Sequence, residues 1–462
     1  MKIYHYSPFP PVQNGIADYA ARVTSELHKR LDIIVVSENP FTPLKNITSV
    51  CDPAQTWRYM GADDIPMYQI GNNSDHVEIL KQALRVPGLV ILHDLKLLYL
   101  HELSGRSRDE LRSLMVASNP VYGGKRADRF VFGDEKMTLD YMAIDMLWDV
   151  LHRSLGVVVH SEFAKMTLCR NYGEAIADRI HVIPHYAMES ESTDRALARA
   201  ALGISEETTL IVTSGFATKA KRLDWLAEAL SKLAEQGHDF RWVHVGSERT
   251  QEFDFSGSVN LLPALKGRFE ITGYVPESML ENYIAASNIL VNLRFPSVGE
   301  SSGSLARAFA SGRCSLVTNT AAYADYPDDV VVKVPYIGGA EPLQTVLSAL
   351  LRRPEAVEAF GENAKSYANA QLSISSYTDA LLDAINAAKQ REPLREVPLA
   401  KAIESNEDIV RIGPIFAEDL TGDQIDKLLP IDFIVNELGF KSLEHGQLQI
   451  EAKGVALRGR KS

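Results

Sequence analysis

Ile289-Leu290-Val291-Asn292-Leu293-Arg294-Phe295-Pro296-Ser297-Val298-Gly299-Glu300-Ser301-Ser302-Gly303-Ser304, running on into Leu305–Ala310, is the stretch on which the reading of this chain turns. A short apolar run ends in a glycine- and serine-rich turn, and a helical pattern follows. Strand, turn and helix in that order form the unit of a parallel α/β sheet. The turn exposes backbone amides and hydroxyls at a helix N-terminus, where free N–H groups and the helix dipole favour an anion. Ser301, Ser302, Gly303 and Ser304 are therefore candidates for a diphosphate cradle. Glu300 is placed to accept hydrogen bonds from hydroxyl groups. The same turn also suits plain capping, with Ser302 or Ser304 as N-cap and Glu300 as a surface charge.

A second strand–turn–helix unit lies upstream. Thr209 to Thr213 reads as a strand, and Ser214-Gly215-Phe216-Ala217-Thr218-Lys219-Ala220-Lys221-Arg222 follows it. Gly215 permits a tight turn. Lys221 and Arg222 then open a helix, where cations oppose the dipole and need a reason. A bound phosphate supplies one, because lysine offers a point charge and arginine a planar fork for phosphate oxygens.

Further apolar runs alternate with helical patterns along most of the chain. Lys2 to Tyr6, Asp32 to Val36, Val90 to His93 and Val157 to His160 read as strands in the first half. Trp242 to Val245, Phe269 to Thr272, Ser315 to Thr318 and Val330 to Val334 continue the second. Leu100 to Trp148 reads as mostly helical, interrupted by a loop at Gly123-Gly124-Lys125-Arg126. The stretch His181 to about Arg195, which ends in the polar run Glu189 to Asp194, is the expected hinge. These patterns predict an α/β chain of two Rossmann-like domains, at 1–187 and 188–388, whose parallel sheets face a deep cleft. A C-terminal extension of unknown role occupies 389–462. Ligands of such sheets bind beyond the carboxyl ends of the strands, so the turns quoted above are where chemistry belongs.

The chain's 462 residues exceed what one core usually serves, and its 45% hydrophobic content is that of a globular protein. A formal net charge of −12 disfavours a nucleic-acid partner. The three cysteines, Cys51, Cys169 and Cys314, stand far apart, with no metal-binding spacing. No secretory leader or membrane-spanning run is legible. A cytoplasmic protein is expected, with the basic Arg458-Gly459-Arg460-Lys461 as the one feature that a membrane's inner face could meet.

The Pro10 to Ala17 loop, the His181-Val182-Ile183-Pro184-His185 stretch, the Lys221 turn and the Gly299-Glu300-Ser301-Ser302-Gly303 turn together resemble the GT-B glycosyltransferases of family 4, over residues 1 to 388. The resemblance implies that the C-terminal domain binds a nucleotide-sugar and the N-terminal domain an acceptor, a glycan or lipid-linked glycan. It also implies transfer of a hexose, mostly with retention of configuration, without a bound metal or cofactor. Two departures stand out. Where the family carries a pair of glutamates before Ala308-Phe309-Ala310-Ser311-Gly312, this chain has Gly299, with Glu300 one residue later, and Arg307. The second glutamate usually holds the nucleotide ribose. Phe216 stands where the family has an arginine, and Arg222 is positioned to replace its charge.

In the first half, Gly15 sits where a side chain would block approach to donor phosphates. His93 matches a family position near the transferred sugar, with Asp94 placed to orient its ring. Asp94, His160 and Asn72 are acceptor-side candidates, with Glu162 and His185 weaker ones. The site reading is thus His93, Lys221, Arg222 and Glu300 for catalysis, and Gly15, Gly215 and Ser301 to Ser304 for the donor. The absence of G-x-G-x-x-G after the first strand and of any G-x-x-x-x-G-K-[ST] argues against a dehydrogenase or a P-loop enzyme. A nucleotide-sugar epimerase on the same fold, and a non-catalytic binding subunit, remain as rivals.

Overall fold

The computed structural model describes residues 1–12, 14–37, 44, 50–187, 194–251, 253–297, 299–336, 338–394, 441–443, 447–452 and 455–460. Residues 188–193 of the expected hinge, and Lys461, lie outside the described residues.

The strands are β1 Lys2–Tyr6, β2 Asp32–Val36, β3 Val50–Cys51, β4 Ile65–Ile70, β5 Leu89–Leu92, β6 Gly156–Val159 and β7 Ile180–Val182. They form one parallel sheet in the order β3-β2-β1-β4-β5-β6-β7. A second sheet holds β8 Leu210–Ser214, β9 Arg241–Val245, β10 Phe269–Ile271, β11 Ile289–Asn292, β12 Cys314–Thr318 and β13 Val332–Val334. Its order is β10-β9-β8-β11-β12-β13, again parallel throughout. The central strands are buried along their whole length, and their Val, Ile and Leu content suits strands covered on both faces. A separate antiparallel ribbon, β14 Lys441–Leu443, β15 Gln447–Ala452 and β16 Val455–Arg460, lies in the tail.

The chain divides into two compact units. One holds Met1–Ile183, Val298–Glu300 and Thr378–Ser462; the other holds Pro184–Ser297 and Ser301–Tyr377. In each, strand order reverses at the sheet centre, between β1 and β4 in the first and between β8 and β11 in the second. The turns leaving those strands at their carboxyl ends are the natural ligand positions. Gly15, Asn72, Gly215 and Ser301 to Ser304 all follow a strand at one of these reversals.

The expected loop at Gly123-Gly124-Lys125-Arg126 is instead the middle of the helix Pro120–Val131. Asn119 caps this helix, accepting from the Tyr122 amide, and Pro120 starts it. A Cβ on Gly123 would lie 2.2 Å from the Met115 carbonyl oxygen, so Gly123 is there to let two helices touch. Arg126 is buried against Asp140, which also accepts from the Tyr122 hydroxyl. Tertiary pairing thus overrides the local turn signal of two glycines. Among the described residues no helix is long and apolar enough to cross a membrane.

Candidate active site

β8 ends at Ser214, and Gly215 turns the backbone with φ +81°. The Gly215 amide donates to the Val245 carbonyl and the Ala217 amide to the Ser247 carbonyl, pinning the turn beside the exit of β9. A one-turn 3-10 helix, Lys219–Lys221, follows. Arg222 then takes a left-handed conformation, φ 47° and ψ 40°, before the helix Leu223–Glu235. That conformation is costly for a side chain with a Cβ, and here it aims the guanidinium.

The aim is defined by two rings. The guanidinium carbon of Arg222 lies 4.6 Å from the Trp225 ring centroid and 5.5 Å from that of Phe295. Burial lowers the Arg222 pKa, and among the described residues its Nε has no hydrogen-bond partner. Stacking supports the cation from its faces and leaves its edge for a ligand.

Lys221 folds back across the turn, donating from Nζ to the Ser214 carbonyl at 2.8 Å. The Ser214 hydroxyl donates to Ser304 Oγ at 2.7 Å. The Phe295 amide donates to the Ala220 carbonyl at 2.7 Å. These bonds join the lysine turn to the serine turn at two points, so the two motifs found separately in the sequence form one constellation. His244, buried behind it on β9, is pushed down to about 3 by burial and by the Lys221 charge, and stays neutral.

The serine turn leaves β11 at Asn292 and enters the helix Gly303–Ala310. Ser302 is its N-cap, accepting from the Leu305 amide and donating to Asn292 Oδ1. The first amides of that helix have no carbonyl partner within it, which is the condition for anion binding. Arg307 is buried one turn on. Its Nη2 donates to Glu277 Oε1, Nη1 to the Gly303 carbonyl at 3.4 Å, and Nε lies 3.8 Å from Glu281 Oε1. The arginine thus clamps the helix to its neighbour, Glu277–Ala286.

Residues 207–337, which contain both turns, match the family model of the glycosyl transferases group 1. No curated protein matches the sequence. Solved structures do. WaaG, a glycosyltransferase involved in lipopolysaccharide biosynthesis, superposes with a TM-score of 0.56 at 16% identity, covering 83% of this chain and 99% of its own. Sucrose-phosphate synthase from Thermosynechococcus elongatus gives 0.53 at 14%, covering 83% and 97%. Anabaena HepE, solved with UDP-glucose, gives 0.53 at 11%, covering 84% and 100%. The chain has the fold of the GT-B glycosyltransferases.

The first unit of this GT-B chain gathers the remaining candidates at the carboxyl ends of its strands. Gly15 opens the helix Gly15–Leu27 behind the Asn14 cap. A Cβ there would meet nothing within 4 Å, so packing alone does not require glycine. Asn72 is tied down on both sides: its amide donates to Asp94 Oδ2 at 2.7 Å, and its Oδ1 accepts from the Leu100 amide at 2.9 Å. The expected orienting role of Asp94 toward His93 falls to other residues. His93 Nε2 lies 2.7 Å from Gln69 Oε1, and Nδ1 lies 3.3 Å from His160 Nε2. Gln69 in turn reaches His5 Nε2 at 3.0 Å, and His5 reaches Thr24 at 2.8 Å. His185 bonds the Tyr186 carbonyl. Gln69 and His5 went unread because they lie within strands rather than after them. The available signal was a polar side chain in a central parallel strand, where apolar residues are the rule.

Asp94 is pushed up to about 6, chiefly by burial, with the Glu300 charge adding to it and the Asn72 amide opposing it. A carboxyl whose folded pKa exceeds its unfolded value costs stability as it ionises. That cost is absent below pH 4, grows as pH rises toward about 6, and is constant above. Asp94→Asn is expected to remove this decline. Urea unfolding should show it gaining roughly 1–2 kcal/mol on wild type between pH 4 and pH 7.5, after discounting for partial exposure. Parallel pH dependences of the two proteins would contradict the assignment.

Proposed function

We propose that this protein transfers a hexose from a nucleotide-sugar to a glycan or lipid-linked glycan acceptor, with retention and without a metal ion. The observation that supports it is the bonded sequence Lys221–Ser214–Ser304, which brings a lysine ammonium and the serine turn onto one spot. In sugar transfer the bond to the nucleoside diphosphate breaks as positive charge grows on the ring, and the leaving diphosphate gains negative charge. Lys221, the edge of Arg222 and the first amides of the helix Gly303–Ala310 collect that charge. Gly215 and Ser301 to Ser304 line the donor, and Glu300 takes a sugar hydroxyl. As the resembled family implies, the acceptor hydroxyl attacks from the leaving group's side and a diphosphate oxygen takes its proton. Gly15 is assigned to the donor, His93 to catalysis, and Asn72, Asp94 and His160 to the acceptor side. HepE has been solved with UDP-glucose, which makes a uridine donor the first to try.

Arg307 favours a second reading, a subunit that binds without catalysis, because a buried, doubly paired arginine stands where the resembled family holds ribose with glutamate. One experiment separates the two. Titration calorimetry against UDP-glucose and other nucleotide-sugars is expected to show binding that EDTA leaves unchanged, and incubation of the bound donor is expected to release nucleoside diphosphate. Binding without release supports the subunit, interconversion of donors without acceptor an epimerase, and activity abolished by EDTA refutes metal independence.

A further inference from the structure

Six hydrogen bonds run without a break through the first unit. The chain begins at the Ile183 carbonyl and passes through His160, His93, Gln69, His5 and Thr24 to the Ala20 carbonyl. Both ends are carbonyl oxygens, which only accept. Six bonds therefore need six hydrogens from the five side chains between them. Neutral, those side chains supply five: one ring N–H from each of three histidines, one amide N–H from Gln69 and the Thr24 hydroxyl. The chain is one hydrogen short.

We infer that His93 carries the missing proton and stands as an imidazolium at the carboxyl end of β5, held there by Gln69, His5 and Thr24 as positioning residues. With the amide orientation observed, the extra proton sits on His93 or His160; the shorter 2.7 Å link from His93 to Gln69, against 2.9 Å from His160 to the Ile183 carbonyl, is the charge-assisted one, and burial holds His160 neutral. His93 Nε2–H donates to Gln69 Oε1, and Gln69 Nε2–H donates to His5 Nε2. His5 Nδ1–H donates to Thr24 Oγ1, and the Thr24 hydroxyl donates to the Ala20 carbonyl. On the other side, His93 Nδ1–H donates to His160 Nε2, and His160 Nδ1–H donates to the Ile183 carbonyl. His5 and His160 remain neutral, in keeping with burial, which pushes them down to about 3 and about 4. The titratable groups near His93 include His160 just after β6, Tyr19 on the first helix and, next in the chain, Asp94, on which the Glu300 charge also acts. The Tyr19 ring stands perpendicular with its centroid 5.0 Å from that of His93.

The protonation state stands independently of the proposed transfer; its chemical consequence rests on that reading. With both ring nitrogens donating, His93 is no general base. It acts on an electron-rich ligand oxygen through its charge.

The test is nitrogen NMR of full-length protein labelled at histidine, with the His93 signals assigned by their loss in His93→Gln. Two protonated ring nitrogens on His93 at pH 7, with one each on His5 and His160, are expected. Gln69→Leu removes the acceptor and should lower the His93 pKa by about one unit or more, while Gln69→Glu should raise it. Because the folded pKa is raised, the charge is complete at low pH and lost as pH rises through it, so any transfer rate should fall in the same direction. A single N–H on His93 at pH 7 in the wild-type protein overturns the inference, whatever its enzymatic activity. So does a pKa that neither Gln69 variant moves.

Discussion

Replacing Lys221 by alanine is expected to lower the rate of sugar release roughly 100- to 1,000-fold, the usual cost of removing one preorganised group from a developing negative charge. The Lys221 ammonium is fixed by the Ser214 carbonyl and so is in place before the donor arrives. Its removal should reduce kcat more than donor affinity, because the charge it opposes is larger in the transition state than in the bound ground state. Lys219→Ala is the control, since Lys219 is exposed on the same turn and makes no bond that joins it to the serines. A Lys221→Ala enzyme within about tenfold of wild type would remove the ammonium from the mechanism.

Arg307→Met is expected to cost stability rather than rate. It removes the cation that both Glu277 and Glu281 contact. Breaking a buried ion pair from one side typically costs about 3–5 kcal/mol, and the partial exposure of Glu277 points to the lower end. Adding Glu281→Gln to the same variant should recover part of the loss, because Glu281 is the more buried of the two acids. Urea unfolding of the single and double variants measures both. A single variant within about 1 kcal/mol of wild type would show that the clamp holds nothing.

Much of the candidate site was legible because its residues lie where the chain changes structure. Strand ends and helix starts announce themselves through glycine, serine and charge, and Lys221, Arg222 and Ser302 are candidates on that basis. The parallel sheets followed from the same alternation. What stayed hidden depends on contacts between distant segments. The conformation of Arg222 is set by Trp225 and by Phe295, which no local pattern links to it. The helix through Gly123 and Gly124 depends on the approach of Met115 and on Asp140. Gln69 and His5 look like faults in apolar strands until their partners on neighbouring elements are known.

Ser214 and Ser304 touch across 90 residues of chain, and they meet because β8 and β11 are neighbours in the second sheet. No excised turn, and no piece ending before β11, can reproduce that meeting. The proposed grip on a diphosphate therefore exists only once the sheet has closed. If the proposal holds, a bound nucleotide draws the folding equilibrium toward the closed sheet by mass action, and occupancy and resistance to unfolding are expected to rise together in this half of the molecule.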